Sequence, residues 1–523
     1  MKIYSFSPFG YEGALVTVEV DLRRGIPAID LVGLADGAVK EARERMQAAI
    51  RNSGFMFPPE RVLISLSPAD LKKEGAGFDL PIALGVLGAS AEASNTANFL
   101  PDPILVMGEL ELSGKVRAVK GVHAAVATAA SCGIMQCIVP AQNADEAMEV
   151  TGVRVYGADT LENAFRALSD PCFFTNRNIG RKAADIPAGC EEKDGVFFPK
   201  MQEGYEYAEI TGQRELIRGL QIAAAGGHNL LAVGAPGCGK TMAIQKFPAI
   251  NPVLTMEEAQ SVTRIWSLAG LIKPNTPLIR IPPFRIPHQT ASIEGICGGG
   301  PNCRPGEISL AHNGVLFLDE AAEFRSSVLQ MLRVPLESET ITLSRAGRNT
   351  TYPAKFQLLM AANPCPCGNY GSKTKICLCS GKSIDLYWKK FSAPLLDRID
   401  LRVFVENQSE SQENVEQRKD LLTTEEIREG IARAVKVQRK RQGTKNARMT
   451  PQEVQDFCVM EKDVRDVLDK AIVRYGFSPR AISSCIKVAR TIADISGSET
   501  IQPPHLSEAI DFHKLCANTR PEL

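Results

Sequence analysis

The segment from Gly234 to Thr241 holds the residues whose types and spacing point most directly to chemistry. It reads Gly-Ala-Pro-Gly-Cys-Gly-Lys-Thr and fits the phosphate-loop pattern G-x-x-x-x-G-K-[ST] at every fixed position. An apolar run typical of a strand precedes it and a helical pattern follows, which is the context that such a loop requires. Glycines let the backbone curl so that N–H groups point at phosphate oxygens, and the helix start adds positive potential. A chance glycine-rich turn is the alternative, and it would not explain this context.

The loop therefore predicts a site for ATP with Mg²⁺. We expect Lys240 to reach the β- and γ-phosphates and the Thr241 hydroxyl to ligate Mg²⁺. The remaining residues of the predicted site are those of the loop itself: Gly234, Ala235, Pro236, Gly237, Cys238 and Gly239.

Two carboxylates follow a second apolar run. Val315–Leu318 is typical of a strand buried on both faces, and Asp319 and Glu320 come directly after it. Ligands bind at the carboxyl ends of strands in open α/β sheets, so Asp319 is placed to hold Mg²⁺ through water. Glu320 would orient and activate the attacking water. Alone it could also be an ordinary acid at a helix start, but its place beside Asp319 favours the catalytic role.

An amide and two arginines complete the candidate catalytic set. Asn363 follows the apolar run 356–362 and either positions water near Glu320 or caps a turn. Arg398 and Arg480 are candidate cations for the γ-phosphate, and such an arginine can come from a neighbouring subunit. Both arginines could instead form surface ion pairs, and composition does not decide between these alternatives.

Composition limits the classes of protein to which the chain can belong. Its 60 Lys+Arg balance 60 Asp+Glu over 523 residues, which excludes a bulk electrostatic grip on nucleic acid or an anionic membrane but leaves local basic patches possible. No apolar run approaches the roughly 18 residues of a membrane span, and Met1–Ser7 lacks the apolar region of a signal peptide. With no export signal, the 14 cysteines favour a reducing compartment, so we expect a cytoplasmic protein without a disulfide framework.

The chain divides into an α/β multidomain arrangement. Residues 1–170 predict an α/β domain, because strand-like stretches such as 14–20 and 62–66 alternate with helix-like patterns such as 38–52 and 122–131. Residues 171–205 lack periodicity and predict a linker. Residues 206–406 predict a second α/β domain built on a parallel sheet, because its strands are nearly continuous apolar runs. Residues 407–523 are predicted to be mostly helical.

Four of the cysteines are grouped. Cys365 and Cys367 form one Cys-x-Cys pair, and Cys377 and Cys379 form a second pair, with nine residues between the two pairs. Four thiolates joined by a flexible loop make a workable tetrahedral zinc site, although C-x-C is less specific than C-x₂-C. The alternative is four thiols that bind no metal.

Together these motifs resemble an AAA+ ATPase of the magnesium-chelatase type. The stretches 283–290, 304–314, 363–368 and 489–494 resemble the ComM/YifB family in particular, as does the block from Gly54 to Leu87, so that the resemblance covers essentially the whole chain. It departs from the family pattern at Gln289, at Ala321-Ala322 and at Ala393. None of these positions is expected to contact nucleotide.

The resemblance implies a ring-forming, hexameric, ATP-driven DNA motor associated with branch migration during recombination of incoming DNA. It gives Arg398 the role of an arginine finger supplied in trans and Arg480 that of the sensor-2 arginine in a C-terminal helical lid, residues 407–523. It makes residues 206–406 the AAA+ P-loop core. The other function that stays open is an ATP-driven remodeller of a protein or chelatase complex, with no DNA substrate.

The N-terminal domain resembles the Lon-protease domain, which raises a Ser–Lys peptidase as a further hypothesis. Gly77 stands where the nucleophilic serine would be, and His123 stands where the catalytic lysine belongs. Without a hydroxyl at position 77 there is no nucleophile to activate. We therefore expect a non-proteolytic domain in which His123 is an ordinary packed helix residue.

Contacts with DNA must come from local positive charge. Residues 340–351 read as a hairpin with Arg345 and Arg348 near its tip, and the resemblance places such a hairpin in the pore of the ring. The Gly-rich segment from Arg285 to Arg304 is a further candidate in the same reading. The last candidate is a basic run that could equally be a solvated helix face: Lys436, Arg439, Lys440, Arg441, Lys445 and Arg448.

Overall fold

The protein was analysed as a computed structural model that describes most of the chain. The described residues are 2–33, 37–69, 71, 73, 75–94, 99, 102–174, 187, 189–210, 212–273, 276, 278–300, 303–345, 348–371, 375–405 and 422–514. We refer to 2–174 as the N-terminal unit, to 189–405 as the central unit and to 422–514 as the C-terminal helices.

The N-terminal unit is built on a mixed sheet with the strand order β3-β4-β2-β1-β5-β8-β9. Strands β1, β2 and β4 pair antiparallel, whereas β5, β8 and β9 continue the sheet in parallel from β1. The predicted strands 14–20 and 62–66 lie within β2 and β4. The strands of this unit are β1 Lys2–Ser7, β2 Ala14–Arg23, β3 Ile29–Val32, β4 Arg61–Ser67, β5 Ile104–Val106, β6 Glu109–Leu110, β7 Val116–Arg117, β8 Gln136–Pro140 and β9 Arg154–Ala158.

Helices cover both faces of this sheet. Alternate residues of one strand face opposite sides, so Ile3 joins the core under α1, α2 and α5, whereas Phe6 joins the core under α3. The helices are α1 Gly37–Asn52, α2 Asp79–Ala93, α3 Val122–Ser131, α4 Ala144–Met148 and α5 Leu161–Ala167. The α/β architecture predicted for this part of the chain is confirmed.

The predicted linker 171–205 contains regular structure. Cys190–Lys193 (β10) and Val196–Pro199 (β11) form an antiparallel hairpin around Asp194 and Gly195, both with positive φ. Val196 and Phe198 are buried in the core of the central unit. The prediction of a linker is therefore wrong for these ten positions, because an Asp-Gly turn and two apolar residues on one face suffice to add a hairpin to an existing core.

The central unit contains a fully parallel sheet with the strand order β13-β16-β19-β12-β20. Leu231 and Leu316 pack on one face, and Ala232 and Phe317 pack on the other, as predicted for strands that are buried on both sides. The remaining strands are β12 Leu230–Gly234, β13 Phe284–Arg285, β14 Gly298–Gly299, β15 Arg304–Pro305, β16 Val315–Leu318, β17 Thr340–Arg345, β18 Arg348–Pro353, β19 Gln357–Ala362 and β20 Leu401–Val405.

Helices of the central unit and of the C-terminal segment enclose this sheet. In the central unit they are α6 Arg214–Gly226, α7 Lys240–Gln245, α8 Met256–Ala269, α9 Ile293–Cys297, α10 Glu307–Leu310, α11 Ser326–Met331, α12 Pro335–Ser338, α13 Gly381–Trp388 and α14 Ala393–Leu396. The C-terminal helices are α15 Thr424–Arg441, α16 Pro451–Phe457, α17 Lys462–Tyr475, α18 Pro479–Ser496 and α19 Pro503–Lys514. The prediction of a mostly helical C-terminal segment is confirmed for the described residues. No helix in the described ranges is both long enough and apolar enough to cross a membrane.

Helix α8 connects the central unit to the N-terminal unit. Arg264 on α8 donates to the Tyr11 carbonyl oxygen at 3.0 Å and to Thr128 Oγ1 at 2.9 Å, and its guanidinium lies 4.8 Å from the Tyr11 ring centroid. The Tyr11 N–H in turn donates to Thr350 Oγ1 of β18 at 3.2 Å. The N-terminal unit is thus bonded both to α8 and to the β17–β18 hairpin.

Candidate nucleotide and metal site

The carboxyl ends of three neighbouring strands form the predicted nucleotide site. Strand β19 lies between β12 and β16, and its residue Met360 is in register with Leu231 on one side and Leu318 on the other. The residues that follow these strands are therefore brought to one edge of the sheet. They are the loop after Gly234, the carboxylate Asp319 and the amide Asn363.

The phosphate loop has the conformation that its glycines allow. Gly237 and Gly239 have φ angles of 80° and 83°, and Gly239 caps the start of α7. Gly234 has no room for a side chain, since an added Cβ would lie 2.4 Å from the Val405 carbonyl oxygen. The Lys240 Nζ donates to the carbonyl oxygens of Gly234 and Ala235 at 2.7 and 2.8 Å, which holds the ammonium inside the loop.

The two predicted Mg²⁺ ligands are in contact. The Thr241 hydroxyl donates to Asp319 Oδ1 at 3.0 Å, and the same oxygen accepts the Glu320 N–H at 3.0 Å. Glu320 has a left-handed backbone, with φ 49° and ψ 47°, and its side chain is exposed. A non-glycine residue in this conformation is uncommon, and strain of this kind is concentrated at functional sites. Asn363 lies half-buried after β19, and its backbone is hydrogen-bonded to the buried Tyr387.

Arg398 and Arg480 lie together, away from the phosphate loop of their own chain. Both donate hydrogen bonds to the Glu337 carboxylate, Arg480 at 3.3 Å. These contacts hold the pKa of Glu337 below its usual range, and the hydrogen bond from Arg398 has the largest effect. The Arg398 carbonyl oxygen accepts from Asn229 Nδ2 at 2.8 Å. Asn229 precedes β12, so about 16 Å of strand separates this contact from Gly234. The surface ion pairs left open by the sequence are thus present, but with Glu337, and they join the two arginines at one place.

The four predicted zinc ligands converge. The sulfur atoms of Cys365, Cys367, Cys377 and Cys379 all lie within 4.8 Å of one another. Individual Sγ–Sγ distances are 3.4 Å from Cys365 to Cys367, 3.7 Å from Cys365 to Cys377 and 3.6 Å from Cys367 to Cys377. Four thiolates bound to one zinc ion at about 2.3 Å would be about 3.8 Å apart, so the four residues fit a tetrahedral metal. The backbone N–H of Tyr370 donates to Cys365 Sγ at 3.3 Å, and hydrogen bonds of this kind orient thiolates that bind metals.

The cysteine cluster touches the phosphate loop through Gly368, a residue to which the sequence assigned no role. Gly368 has φ 77°, and a Cβ at this position would lie 2.4 Å from Pro236 Cδ. The other end of the cluster is braced by Trp388, whose Nε1 donates to the Pro364 carbonyl oxygen at 3.0 Å. A metal held by the four cysteines would therefore fix the loop that packs on Pro236.

The candidate DNA contacts differ in their surroundings. The Arg285 guanidinium is bidentate to Glu307 at 2.6 and 2.7 Å, and this hydrogen bonding raises the pKa of Arg285, whose contact with DNA stays a prediction. Arg304 is exposed in β15. Arg345 and Arg348 pair with each other at the end of the predicted β17–β18 hairpin, but their side chains lie outside the described residues.

Gly77 and His123, the two positions on which the peptidase hypothesis depends, do not supply a nucleophile and a base. His123 is 2% exposed within α3, and burial lowers its pKa to about 3, as expected for a packed helix residue. Gly77 has only Val119 within 4 Å of its added Cβ, at 3.9 Å.

Comparison with known proteins covers nearly the whole chain. Three family models match: "Subunit ChlI of Mg-chelatase" at residues 18–143, "Magnesium chelatase, subunit ChlI" at 206–413 and "Magnesium chelatase, subunit ChlI C-terminal" at 422–513. Competence protein ComM of Haemophilus influenzae is 38% identical over 98% of this chain and 97% of its own length. The protein YifB of Escherichia coli is 37% identical over the same shares. The magnesium-chelatase 38 kDa subunit of Cereibacter sphaeroides is 23% identical over 31% of this chain and 54% of its own length.

The contact between Gly368 and Pro236 gives a testable prediction. Gly368→Ala should weaken nucleotide binding about tenfold, or about 1.4 kcal/mol, because the new methyl group displaces the phosphate loop. Gly371→Ala is the matched control, since Gly371 has the same left-handed backbone, φ 76°, but only an ordinary contact with Phe404 at 3.6 Å. Titration of both variants with a fluorescent ATP analogue measures the difference. Equal affinities would show that the contact does not act on the nucleotide site.

Proposed function

The chain belongs to the magnesium-chelatase-like family of ComM and YifB, and from this premise we propose that it is a ring-forming, ATP-dependent DNA motor that migrates branched DNA. The proposed ring-shaped oligomer is supported by one observation: Arg398 and Arg480 are separated from the phosphate loop of their own chain. A nucleotide at Gly234 receives these cations only if a second copy supplies them across an interface.

ATP hydrolysis would use the residues at the edge of the central sheet. Lys240 would bind the β- and γ-phosphates, and Thr241 and Asp319, which are in contact, would hold Mg²⁺, whose charge would offset that of the phosphates. The exposed Glu320 carboxylate takes the proton of the attacking water, which Asn363 helps to orient. Arg398 and Arg480 of the neighbouring copy stabilise negative charge on the γ-phosphate as its bond to the β-phosphate breaks.

The DNA part of the proposal is supported by the β17–β18 hairpin and by the relative named for competence. Arg345 and Arg348 end this hairpin, and Arg304 is exposed on a strand of the same unit. Contacts from such arginines to phosphates are independent of sequence and weaken as salt rises. A hexamer working in the cytoplasm on recombination of incoming DNA is the form that the resemblance to ComM suggests.

Two further assignments belong to the same proposal. We assign residues 1–170 as a Lon-protease-like domain without proteolytic activity, and residues 171–205 as the segment that joins it to the AAA+ core at 206–406. Residues 407–523 are assigned as the lid of that core. The competing function is an ATP-driven remodeller of a protein complex with no DNA substrate. It is favoured by the family models, which are named for a chelatase subunit.

DNA dependence separates these two functions. Single-stranded DNA should raise the ATPase rate, and Arg345→Ala/Arg348→Ala should keep the basal rate but lose the stimulation, because it removes only phosphate contacts. Arg24→Ala/Arg51→Ala removes the same charge from exposed positions of the N-terminal unit and serves as the control. Lys240→Ala should lower the rate by more than about 100-fold. An active ATPase that neither responds to DNA nor shifts a synthetic four-way junction would favour the remodeller.

Mixed rings test whether the arginines act between subunits. Lys240→Ala and Arg398→Ala should each be inactive alone, since every interface lacks one partner. Rings co-expressed with two tags and purified through both should regain part of the activity, because some interfaces combine an intact phosphate loop with an intact arginine. Mixtures no more active than the single variants would place Arg398 in its own chain's site and would remove the argument for a ring.

The cysteine cluster is proposed to hold structural zinc. Purified protein should contain about one zinc ion per chain, and Cys365→Ser/Cys367→Ser should lose most of it, because two ligands do not retain the metal. Cys132→Ser/Cys172→Ser changes two exposed single cysteines and should retain the metal. Mass-spectrometric metal analysis of the three proteins gives the result. Equal zinc content in both variants would exclude the site.

A further inference from the structure

A second polar cavity lies at the opposite edge of the central sheet from the phosphate loop. Gly227, Gly314 and Gln357 line it at the starts of β12, β16 and β19. Residues 251–255, the end of α15 and residues 443–448 close it, and its volume is about 100 Å³. This is the space of several water molecules. It contains none of the residues of the proposed ATP site.

Positive charge dominates the walls of this cavity. Lys355, Arg439, Lys445 and Arg448 line it, against one carboxylate, Glu258. Arg448 is paired with Glu339 outside the cavity wall at 2.6 Å. For Lys355, Arg439 and Lys445, no carboxylate among the described residues lies within ion-pair distance. With Arg448 paired to Glu339, three unpaired cations face one carboxylate, which leaves an excess of two positive charges around a small space.

The one carboxylate is already engaged. Glu258 closes the capping box of α8, where its Oε2 accepts the Thr255 N–H at 2.9 Å and Thr255 Oγ1 accepts the Glu258 N–H at 3.3 Å. Burial lowers the pKa of Lys445 to about 8, and the neighbouring cations add to this effect while Glu258 opposes it. The pKa values of Lys355 and Arg448 are lowered as well, by burial first. Lys445 therefore stands close enough to Lys355, Arg439 and Arg448 to be repelled by them.

The fold holds these groups in place despite the repulsion. The aliphatic stem of Lys445 packs against Gly227, where an added Cβ would lie 2.8 Å from Lys445 Cδ. Asn251, which also lines the cavity, is 5% exposed and its Oδ1 has no hydrogen-bond partner. The oxygen and nitrogen of an amide are interchangeable in assignment, so Asn251 can present an N–H donor to this space. Buried polar groups without partners call for a ligand or another explanation.

We propose that this cavity binds a small anion bearing phosphate groups, at a site separate from the ATP site. Guanidinium forks and ammonium groups together match the several oxygens of a phosphate, and a multivalent anion offsets the excess charge better than a single carboxylate does. The enclosure by residues of six chain segments favours a small molecule over a DNA strand. Because Arg448 is paired with Glu339, directly before β17, an occupant contacts a residue bonded to the base of the hairpin.

Pyrophosphate is the probe, and the test is made in full-length protein carrying Lys240→Ala so that the phosphate loop contributes little. Pyrophosphate should raise the melting temperature of this protein more than acetate at the same ionic strength. Adding Lys445→Gln should weaken pyrophosphate binding by at least about tenfold in calorimetric titration, as expected for a lost charge-assisted contact. Lys440→Gln, which changes an exposed lysine of α15 outside the cavity, is the matched control.

A second readout guards against misfolding. Without anion, Lys445→Gln should raise the melting temperature, because it removes one of several mutually repelling cations. The proposal is overturned if Lys445→Gln and Lys440→Gln bind pyrophosphate equally, or if Lys445→Gln lowers the melting temperature without anion. It is also overturned if Lys445→Gln weakens binding of single-stranded DNA but not of pyrophosphate. All of these are binding or stability measurements, so they do not depend on whether the protein is a DNA motor.

Discussion

Parallel pairing of β12, β19 and β16 decides which groups can meet in this protein. All three strands end at one edge of the sheet, and with Met360 in register with both neighbours the groups that follow them are brought together. The contact between Thr241 and Asp319 is a result of this register. The same polarity puts Arg398, which precedes β20, at the other edge. One chain thus brings the phosphate loop and the carboxylate Asp319 to one edge of the sheet and presents Arg398 at the opposite edge.

Contacts made by loops link the central sheet to the cysteine cluster, to the C-terminal helices and to the N-terminal unit. At the carboxyl edge, the cysteine loop rests on Pro236 through Gly368. At the other edge, Glu337 joins Arg398 to Arg480 and so ties the central unit to α18. The β17–β18 hairpin is bonded to the N-terminal unit by Thr350 and Tyr11, and Arg264 bonds the same tyrosine to α8. A shift of the hairpin therefore cannot occur without a change in contacts to the N-terminal unit.

Much of the fold was predictable because local signals agree with the tertiary structure. The strand before Asp319 was predicted as Val315–Leu318 and the helix Val122–Ser131 with its observed bounds, since strands buried on two faces and apolar helices carry distinct patterns. The hairpin at 190–199 was missed because its Asp-Gly signal is short and its core contacts are distant in sequence. The engagement of Arg285 by Glu307 depends on β13 packing beside α10, which no local pattern records. For the same reason the sequence offered Arg398 and Arg480 as separate cations and gave no sign that Glu337 joins them.

The placement of charge explains how a chain of zero net charge can contain sites for anions. Balanced totals allow each basic residue to have an acidic partner, and in the run from Lys436 to Arg448 some do: Arg441 is bidentate to the buried Asp494 at 2.9 Å for both bonds. Within the described part of the chain, Arg439 and Lys445 of the same run have no such partner, and both line a cavity. Neither alternative raised for this run, a DNA-binding face or a solvated helix face, therefore describes it as a whole. Repulsion between crowded, unpaired cations lowers the stability of the folded protein. A bound anion is the simplest way to offset that repulsion, and this is why we propose one at the cavity.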